Sequence, residues 1–305
     1  MRESQYGFRP GRGTGDALFL VRRLIDATIE DKNGRLLILL LDWSKAFDRV
    51  RSDSLLTALK RFGVPSHMLD MIGAIYAQRT FDVRDVGGAS KTHRQNAGIA
   101  QGCPLSPYLF VMVMSVLLAD VAANLRSEKY TEKSPYIVTE DVLYADDTLL
   151  VATDVKKLQR HLDLIEQAGR SYGLELNLAK TVLLKIRHDG ELIGSSGSPV
   201  RASDTAVYLG GLISVDGRPV SEVSRRLGEA GRLFETLSAV WKHANLTRMQ
   251  KQRVFERCVI TKLLYGLESL WLLKADRDKI DSFYARCMRR IYGVAPSFIS
   301  RLSNQ

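Results

Sequence analysis

The uninterrupted apolar run Leu36–Leu41 constrains the fold of this chain more than any other stretch. An apolar run of this length without polar alternation is typical of a β-strand that is buried on both faces. The run ends at Asp42, and a carboxylate at the end of a buried strand is costly unless it is solvated, paired or bound to a metal ion. We therefore interpret Asp42 as a candidate metal ligand.

A second acidic feature, the pair Asp146 and Asp147, lies between two short apolar runs at residues 143–144 and 149–151. The flanking runs predict two strands, and residues 145–147 predict the tight turn between them, because Asp suits turn positions. Adjacent carboxylates repel each other, and hard divalent cations, above all Mg²⁺, relieve that repulsion. Taken alone, the pair fits an ordinary surface turn equally well.

The order of strands, hairpins and returning helices predicts an α+β fold in which helices pack against an antiparallel sheet. If the strand at residues 36–42 lies beside the acidic hairpin, Asp42 meets Asp146 and Asp147. Three carboxylates from two neighbouring strands make a site for two Mg²⁺ ions, which suits in-line phosphoryl transfer. The sequence also predicts a hairpin at residues 81–96 with a Gly-Gly turn, a strand at 174–178 and a strand at 207–213.

The formal net charge of the 305 residues is +10, and most of the excess lies in the last third. Residues 216–305 contain 17 lysines and arginines against 9 acidic residues. A chain this basic suggests a polyanionic partner, with nucleic acid first and a membrane surface second. Helices predicted at residues 221–241, 247–265 and 276–292 carry these cations, either as phosphate contacts or as ordinary solvated faces. The candidate phosphate contacts are Arg225, Arg226 and Arg232.

The three cysteines, Cys103, Cys258 and Cys287, fit neither a disulfide framework nor a zinc pattern. This usage indicates a reducing compartment, so we expect an intracellular protein of the cytoplasm, the nucleus or both. The N-terminus has no apolar signal region. The longest apolar run, residues 109–119, is too short to span a bilayer and predicts a buried helix, so we expect no membrane partner.

A loop at residues 97–107 leads into that helix and carries Gln101, whose amide offers both a donor and an acceptor. Its glycines, Gly98 and Gly102, allow another chain to approach the backbone closely. Ser106 is predicted to cap the helix. The loop is a good place to contact a flat ligand, although a structural role is the alternative interpretation of a lone glutamine.

Six motifs occur in one order along the chain: QYGFRPGR, LDWSKAFD, AGIAQGCPLSP, YADD, YGLELNLAKT and YLGGLIS. In this order they make the chain resemble a reverse transcriptase, most like those of non-LTR (LINE-type) retrotransposons, over about residues 5–213. The resemblance implies a right-hand polymerase, with partial fingers and palm at residues 1–215 and an all-helical, thumb-like segment at 216–305. It also implies an RNA-directed DNA polymerase that extends a DNA primer on an RNA template with deoxynucleoside triphosphates.

The resemblance assigns catalytic roles to four residues. Asp42, Asp146 and Asp147 would be the catalytic acids that bind two Mg²⁺ ions, with Mn²⁺ as a possible substitute. Phe47 stands where these enzymes place an aromatic steric gate, whose ring collides with a ribose 2′-hydroxyl. This position therefore implies selection of deoxynucleotides.

The resemblance also assigns substrate contacts. Gln101 and Gly102 resemble the segment that contacts the incoming nucleotide and the template. Lys180 matches a lysine that neutralises or protonates the leaving pyrophosphate. The segment that resembles the primer grip consists of Tyr208, Leu209, Gly210 and Gly211.

The sequence departs from the family pattern at its ends. The fingers segment that normally precedes the first motif is missing, as are an endonuclease domain, an RNase H domain and a Cys/His knuckle. We therefore expect a fragment of a larger element-encoded protein, or a decayed copy. The alternatives are a group II intron-type reverse transcriptase and a truncated or non-catalytic polymerase-fold module that binds nucleic acid. Clustered acids favour the enzyme, since a pure binder gains nothing from negative charge that faces nucleic acid, whereas the missing fingers favour the binder.

Overall fold

The computed structural model describes residues 1–95, 97–126, 139–243, 245–301 and 303. The chain divides into two units, Met1–Leu209 and Gly210–Gln305. The sequence predicts a boundary at residue 215, and the division falls at Leu209. Strands and helices alternate through the first unit, so the predicted α+β class is confirmed.

The elements of the first unit are numbered along the chain. Its helices are α1 (Thr14–Glu30), α2 (Ala46–Arg49), α3 (Ser52–Phe62), α4 (Ser66–Tyr76), α5 (Ser106–Arg126) and α6 (Val155–Ser171). Its strands are β1 (Leu36–Leu41), β2 (Thr80–Phe81), β3 (Arg84–Asp85), β4 (Gly88–Ala89), β5 (His93–Arg94), β6 (Asp141–Tyr144), β7 (Asp147–Ala152), β8 (Val182–Ile186), β9 (Arg201–Ser203) and β10 (Thr205–Tyr208).

A five-stranded sheet with the strand order β6-β7-β1-β8-β9 organises the first unit. β1 lies in the middle and is buried at every residue, as its apolar sequence predicts. It pairs antiparallel with both β7 and β8, and β6 pairs antiparallel with β7 to form the acidic hairpin. β9 joins β8 in parallel. The sheet is therefore mixed, not wholly antiparallel as predicted.

The segment before α1 extends this sheet at its β6 edge. Leu143 N donates to Ser4 O over 2.9 Å, and Tyr6 N donates to Leu143 O over 2.7 Å. Gln5 lies opposite Leu143 as a parallel bridge. The first motif is therefore a structural neighbour of the acidic hairpin, although it lies far from it in the sequence.

Helix α5 fills the core beneath the sheet. Its residues Phe110, Val113 and Leu117 are fully buried, and they share one hydrophobic cluster with Leu59 of α3 and Leu162 of α6. The whole helix has 21 residues, and by length and composition alone it could cross a membrane, whereas the prediction concerned only the shorter apolar run at residues 109–119. However, 61% of its apolar window is buried inside the fold, and core helices of soluble proteins pass the same test. Burial as a core helix is confirmed.

Two predicted strands differ in the structure. At residues 174–178, only Leu176 pairs, as an isolated bridge to Trp43. Leu174 N bonds to Gly169 O at the end of α6, and Asn177 O accepts from Thr181 N in a turn. Ser44 N donates to Glu175 O over 2.8 Å and Asn177 N donates to Asp42 O over 2.7 Å, so the segment pairs with residues 42–44 over this single bridge, between a helix end and a turn.

Residues 207–213 form two strands instead of one. The chain turns between them because Leu209 and Gly210 both adopt the left-handed region, with φ of 48° and 73°. The predicted hairpin at 81–96 is confirmed by the antiparallel pairs β2–β5 and β3–β4, except for Asn96, which lies outside the described residues. The predicted Gly-Gly turn is wrong, because Asp85 pairs with Gly88 and the turn residues are therefore Val86 and Gly87.

The second unit is mainly helical, as predicted. Its elements are β11 (Gly211–Ser214), α7 (Val220–Thr236), α8 (Ser238–Lys242), α9 (Arg248–Val254), a π-helical segment (Phe255–Ile260), α10 (Thr261–Leu264), a 3₁₀ turn (Leu267–Ser269), α11 (Lys274–Tyr292) and α12 (Ser297–Ser300).

The helix predicted at residues 221–241 is broken after Thr236. Trp241 Nε1 donates to Phe234 O over 2.8 Å, and so takes a carbonyl that a continuous helix would use four residues later. Both rings belong to the core of this unit, where they stack 5.1 Å apart. Core packing therefore overrides the continuous helical periodicity.

Candidate active site

The acidic hairpin turns through two residues, Ala145 and Asp146. The sequence predicted that Asp147 lies in the turn, and this is wrong. Tyr144 pairs with Asp147, so Asp147 already belongs to β7. Ala145 has a φ of 58°, a left-handed conformation that costs a non-glycine residue roughly 1–2 kcal/mol. Such a residue persists only where its surroundings hold it, and it is typical of functional sites.

Asp42 lies at the same end of the sheet as this turn. The last pair of the β1–β7 register is Leu41 opposite Thr148. Asp42, which follows β1, and Asp147, which precedes Thr148 in β7, are the next residues toward the turn. Thr148 is buried, and its hydroxyl accepts from Trp43 Nε1 over 3.3 Å. The structure therefore brings together the three acids that the sequence singled out.

Two of the three carboxylates, those of Asp146 and Asp147, have perturbed pKa values. Loss of solvent raises the pKa of Asp146, and the charge of Asp42 adds to the rise. The carboxyl of Asp147 retains an exposed edge, yet the protein around it removes much of its solvation. That loss, followed by the charges of Asp146 and Asp42, raises its pKa to about 6. The site therefore favours either a proton or a cation.

Phe47 lies on the short helix α2, which follows the acidic end of β1. Its half-buried ring stacks on Phe110 with centroids 4.4 Å apart. Its carbonyl accepts from Ile99 N over 2.6 Å. At Gly98, where φ is 99°, a Cβ would lie 2.9 Å from Asp48 O. The loop that precedes α5 is therefore pressed against the segment that carries Phe47.

That contact places Gln101 beside the same segment. Gln101 Nε2 donates to Asp48 Oδ1 over 3.0 Å, and both residues are exposed. Gly102, with a φ of 82°, is open to solvent. This contact between Gln101 and Asp48 was not predicted from the sequence. Only the proximity of two motifs, which the sequence does not display, could have indicated it.

The four residues that resemble a primer grip lie where the two units divide. Tyr208 is buried, and its hydroxyl donates to Val142 O over 3.3 Å. Loss of solvent, followed by the charge of Asp147, raises the pKa of Tyr208. Leu209 is half-buried, Gly210 is exposed and Gly211 is buried. The exposed backbone of this turn, and not the Tyr208 ring, is therefore the part that a ligand can reach.

The structure argues against two of the three predicted phosphate contacts. Arg226 is buried and pairs with the buried Glu222 at 2.8 Å. Arg225 pairs with Glu222 at 2.7 Å and with Glu229 at 2.8 Å, and both guanidinium groups donate to Gly210 O. Moving either arginine to a phosphate would leave a buried carboxylate short of its partner. Arg232 is exposed and remains a candidate.

Comparison with known proteins decides the family. The family model for reverse transcriptase (RNA-dependent DNA polymerase) matches residues 1–213. This chain belongs to the reverse transcriptase family. The chain is 28% identical to the RNA-directed DNA polymerase from mobile element jockey of Drosophila melanogaster, over 95% of this chain and 32% of that protein. It is also 28% identical to a Pol polyprotein from retrotransposable element R2 of Popillia japonica, over 75% of this chain and 32% of that protein.

This reverse transcriptase chain thus spans about a third of the length of those curated relatives. The predicted resemblance to reverse transcriptases of non-LTR retrotransposons is confirmed. Among solved structures, a telomerase from Candida albicans matches with a TM-score of 0.49 and 12% identity, over 94% of this chain and 52% of that chain.

Reverse transcriptases generally use divalent metal ions. Asp42, Asp146 and Asp147 offer the oxygen ligands that hard cations prefer. Throughout the described ranges, no three or more His, Cys, Asp or Glu side chains are already arranged to hold a metal ion. Lys180 Nζ lies 3.9 Å from Asp42 Oδ2, with side chains 70% and 40% exposed. The donor chemistry therefore fits a divalent cation, which would compete with Lys180 for Asp42.

Proposed function

We propose that this chain is the polymerase segment of an RNA-directed DNA polymerase of a non-LTR retrotransposon. Its substrates would be an RNA template, a DNA primer and deoxynucleoside triphosphates. Residues 1–215 would be partial fingers and palm, and residues 216–305 a thumb-like segment. The observation that carries the proposal is the meeting of Asp42, Asp146 and Asp147 at one end of the sheet, where loss of solvent, together with the neighbouring charges, raises the pKa values of Asp146 and Asp147.

Asp42, Asp146 and Asp147 would hold two Mg²⁺ ions, or Mn²⁺ in their place. Such ions, when bound, lower the pKa of the attacking hydroxyl and stabilise charge on the transferred phosphoryl group. The protein's own part is to hold the three acids together at one end of the sheet. Lys180, released from Asp42, would be free to neutralise the leaving pyrophosphate.

Phe47 would read the sugar of the incoming nucleotide. Its ring stacks on Phe110, and the bond from Ile99 N to its carbonyl holds its backbone, so displacing the ring would cost these contacts. A fixed ring at this position excludes a 2′-hydroxyl by steric overlap. Gln101 and Gly102 would contact the nucleotide and the template from the neighbouring loop.

Primer extension on poly(rA)/oligo(dT) with Mg²⁺ tests the proposal. We expect the wild-type chain to extend the primer and Asp146→Asn to lose at least 10²-fold in rate, the usual scale for removing a group that stabilises transition-state charge. Asp189→Asn, which alters a fully exposed acid, is the matched control. If wild type and Asp146→Asn extend equally poorly while both stay folded, the catalytic proposal fails for this chain.

A non-catalytic module that binds nucleic acid is the second candidate. The observation that favours it is the proximity of Lys180 to Asp42, combined with acids that are not arranged as ligands in the described ranges. Such a module would bind template-primer in a mobility-shift assay as tightly with Asp146→Asn as without it, and neither protein would extend the primer.

We also propose an intracellular location, in the cytoplasm or the nucleus. Cys103, Cys258 and Cys287 are free thiols, which is the state that a reducing compartment maintains. Alkylation of the protein in intact cells, followed by mass spectrometry, tests this: free thiols support the location, and a disulfide to another chain contradicts it.

A further inference from the structure

The side chain of Gln5 supports the catalytic turn directly. Gln5 is fully buried, and its Oε1 accepts from Ala145 N over 3.1 Å and from Gly7 N over 2.9 Å. Both neighbours are backbone donors, so the amide oxygen, not the nitrogen, must face them. The bond to Ala145 joins residues that lie 140 positions apart in the sequence.

The turn needs this acceptor because its own strands do not supply one. In a two-residue hairpin the flanking pair, here Tyr144 and Asp147, exchanges the last ladder bonds, which leaves the N–H of the first turn residue outside the ladder. Ala145 is only 6% exposed, so its N–H has little access to water. A buried N–H must find a partner in the protein, and Gln5 Oε1 is that partner.

Gly7 packs closely against both Ala145 and the side chain of Gln5. A Cβ at Gly7 would lie 2.7 Å from Ala145 N and 3.2 Å from Gln5 Oε1. Any side chain there would push against backbone and break the three-way contact. Gln5, Gly7 and Ala145 therefore fit together as one unit.

We propose that Gln5 is a positioning residue, which holds Ala145 in its left-handed conformation and thereby aims Asp146. The inference rests on the proposed function, since it concerns the same acidic site. Gln5 is fully buried, so its part is to position the turn and not to bind substrate or a cation directly. An uncharged acceptor suits this place, because a cationic side chain would compete with the ion for the acids, and a carboxylate would add to their repulsion.

Calorimetric titration of the folded chain with Mn²⁺ tests the role without reference to activity. Gln5→Met keeps the length of the side chain and removes the acceptor. We expect it to weaken Mn²⁺ binding by about 10–100-fold, the usual effect of removing a group that orients a ligand. Gln5→Glu keeps an acceptor for both N–H groups and should recover part of the loss. The matched control is Gln159→Met, which removes another glutamine amide that supports a loop, through bonds to Ile193 N and O of 2.8 Å each.

Ala145→Gly sharpens the test, because glycine reaches the left-handed region without strain. In that background Gln5→Met should weaken Mn²⁺ binding less than it does in the wild type. If Gln5→Met lowers the melting temperature but leaves Mn²⁺ affinity as in Gln159→Met, the residue only stabilises the fold and the positioning role is overturned.

Hydrogen exchange at the Ala145 amide provides a second measurement on the wild type, should Gln5→Met fail to fold. Slow exchange supports the bond to Gln5, and exchange as fast as in an exposed loop overturns it. A wild type that binds Mn²⁺ and extends primers, beside a Gln5→Met variant that does both equally well, rejects this inference and leaves the proposed function standing. A wild type that binds no Mn²⁺ rejects both.

Discussion

Two clusters of acids in this chain have opposite electrostatic environments. In the first unit, loss of solvent and the neighbouring charges raise the pKa values of Asp146 and Asp147, that of Asp147 to about 6. In the second unit, Glu222 and Glu229 are surrounded by arginines. Although loss of solvent opposes the effect, Arg225, Lys262 and Arg226 hold the pKa of Glu229 below its usual value.

The contrast teaches how to separate a binding site from a structural ion pair. Clustered carboxylates whose pKa values are raised still require positive charge, and a ligand can supply it. Clustered carboxylates that are already paired serve the fold, here by fixing the Gly210 carbonyl through two guanidinium groups. Both clusters consist of carboxylates. Whether a cluster binds a ligand or stabilises the fold depends on how many arginines and lysines of the chain already pair with it.

The largest expected effect on stability comes from breaking the ion pairs of Glu222 and Glu229 with Arg225 and Arg226. Arg226→Met should lower the free energy of unfolding by about 3 kcal/mol, at the low end for breaking a buried ion pair because Arg225 remains on Glu222. Urea unfolding followed by circular dichroism measures it. Arg232→Met, on the exposed face of the same helix, should change stability by less than about 0.5 kcal/mol. Equal effects of the two substitutions would contradict a structural role for Arg226.

An intermediate effect tests whether the acidic site of Asp42, Asp146 and Asp147 serves deoxynucleotides. Phe47→Ala should raise the use of ribonucleotides relative to deoxynucleotides by roughly 10–200-fold, the range for a steric contact in a pocket. Primer extension with matched triphosphates measures it, and Phe81→Ala, on the exposed hairpin, is the control. Unchanged sugar selectivity in Phe47→Ala would remove the gate role.

The smallest effect concerns the pH dependence of stability that arises from Asp147 in the acidic site. Because the pKa of Asp147 rises from 3.8 to about 6 on folding, the folded chain holds this proton more tightly than the unfolded chain. The free energy of unfolding therefore falls as the pH rises through that interval. Without divalent cations, Asp147→Asn should raise the melting temperature above pH 6 and change it little below pH 3.8. If Asp147→Asn shifts the melting temperature equally above pH 6 and below pH 3.8, the charged form of the Asp147 carboxyl is not destabilised by the fold.

Much of the acidic site could be predicted from the sequence, because it depends on local patterns. The apolar run before Asp42 and the two runs around Asp146 and Asp147 define strands by themselves, and two such strands fit side by side in one sheet. The roles of Gln5 and Asp48 could not be predicted in this way. Their partners lie 140 and 53 positions away, and no periodicity connects them.

The error over Arg225 and Arg226 has a different cause. Net charge by region counts cations without asking which are already paired. Glu222 and Glu229 stand at helical spacings of three and four residues from these arginines, so the pairing could have been predicted from the sequence. What the spacing does not show is the burial of Glu222 and Arg226, which makes the pairing obligatory.

Direct measurement of Mn²⁺ affinity in Asp42→Asn tests the central claim, that acids from two strands form one cation site. Asp42 directly follows β1, and the other two acids lie on the β6–β7 hairpin. The loss of the Asp42 carboxylate should therefore weaken Mn²⁺ binding by at least about tenfold, or 1.4 kcal/mol. Asp189→Asn, which alters an acid that is fully exposed, should leave the affinity unchanged. Equal affinities in wild type, Asp42→Asn and Asp189→Asn would contradict the claim.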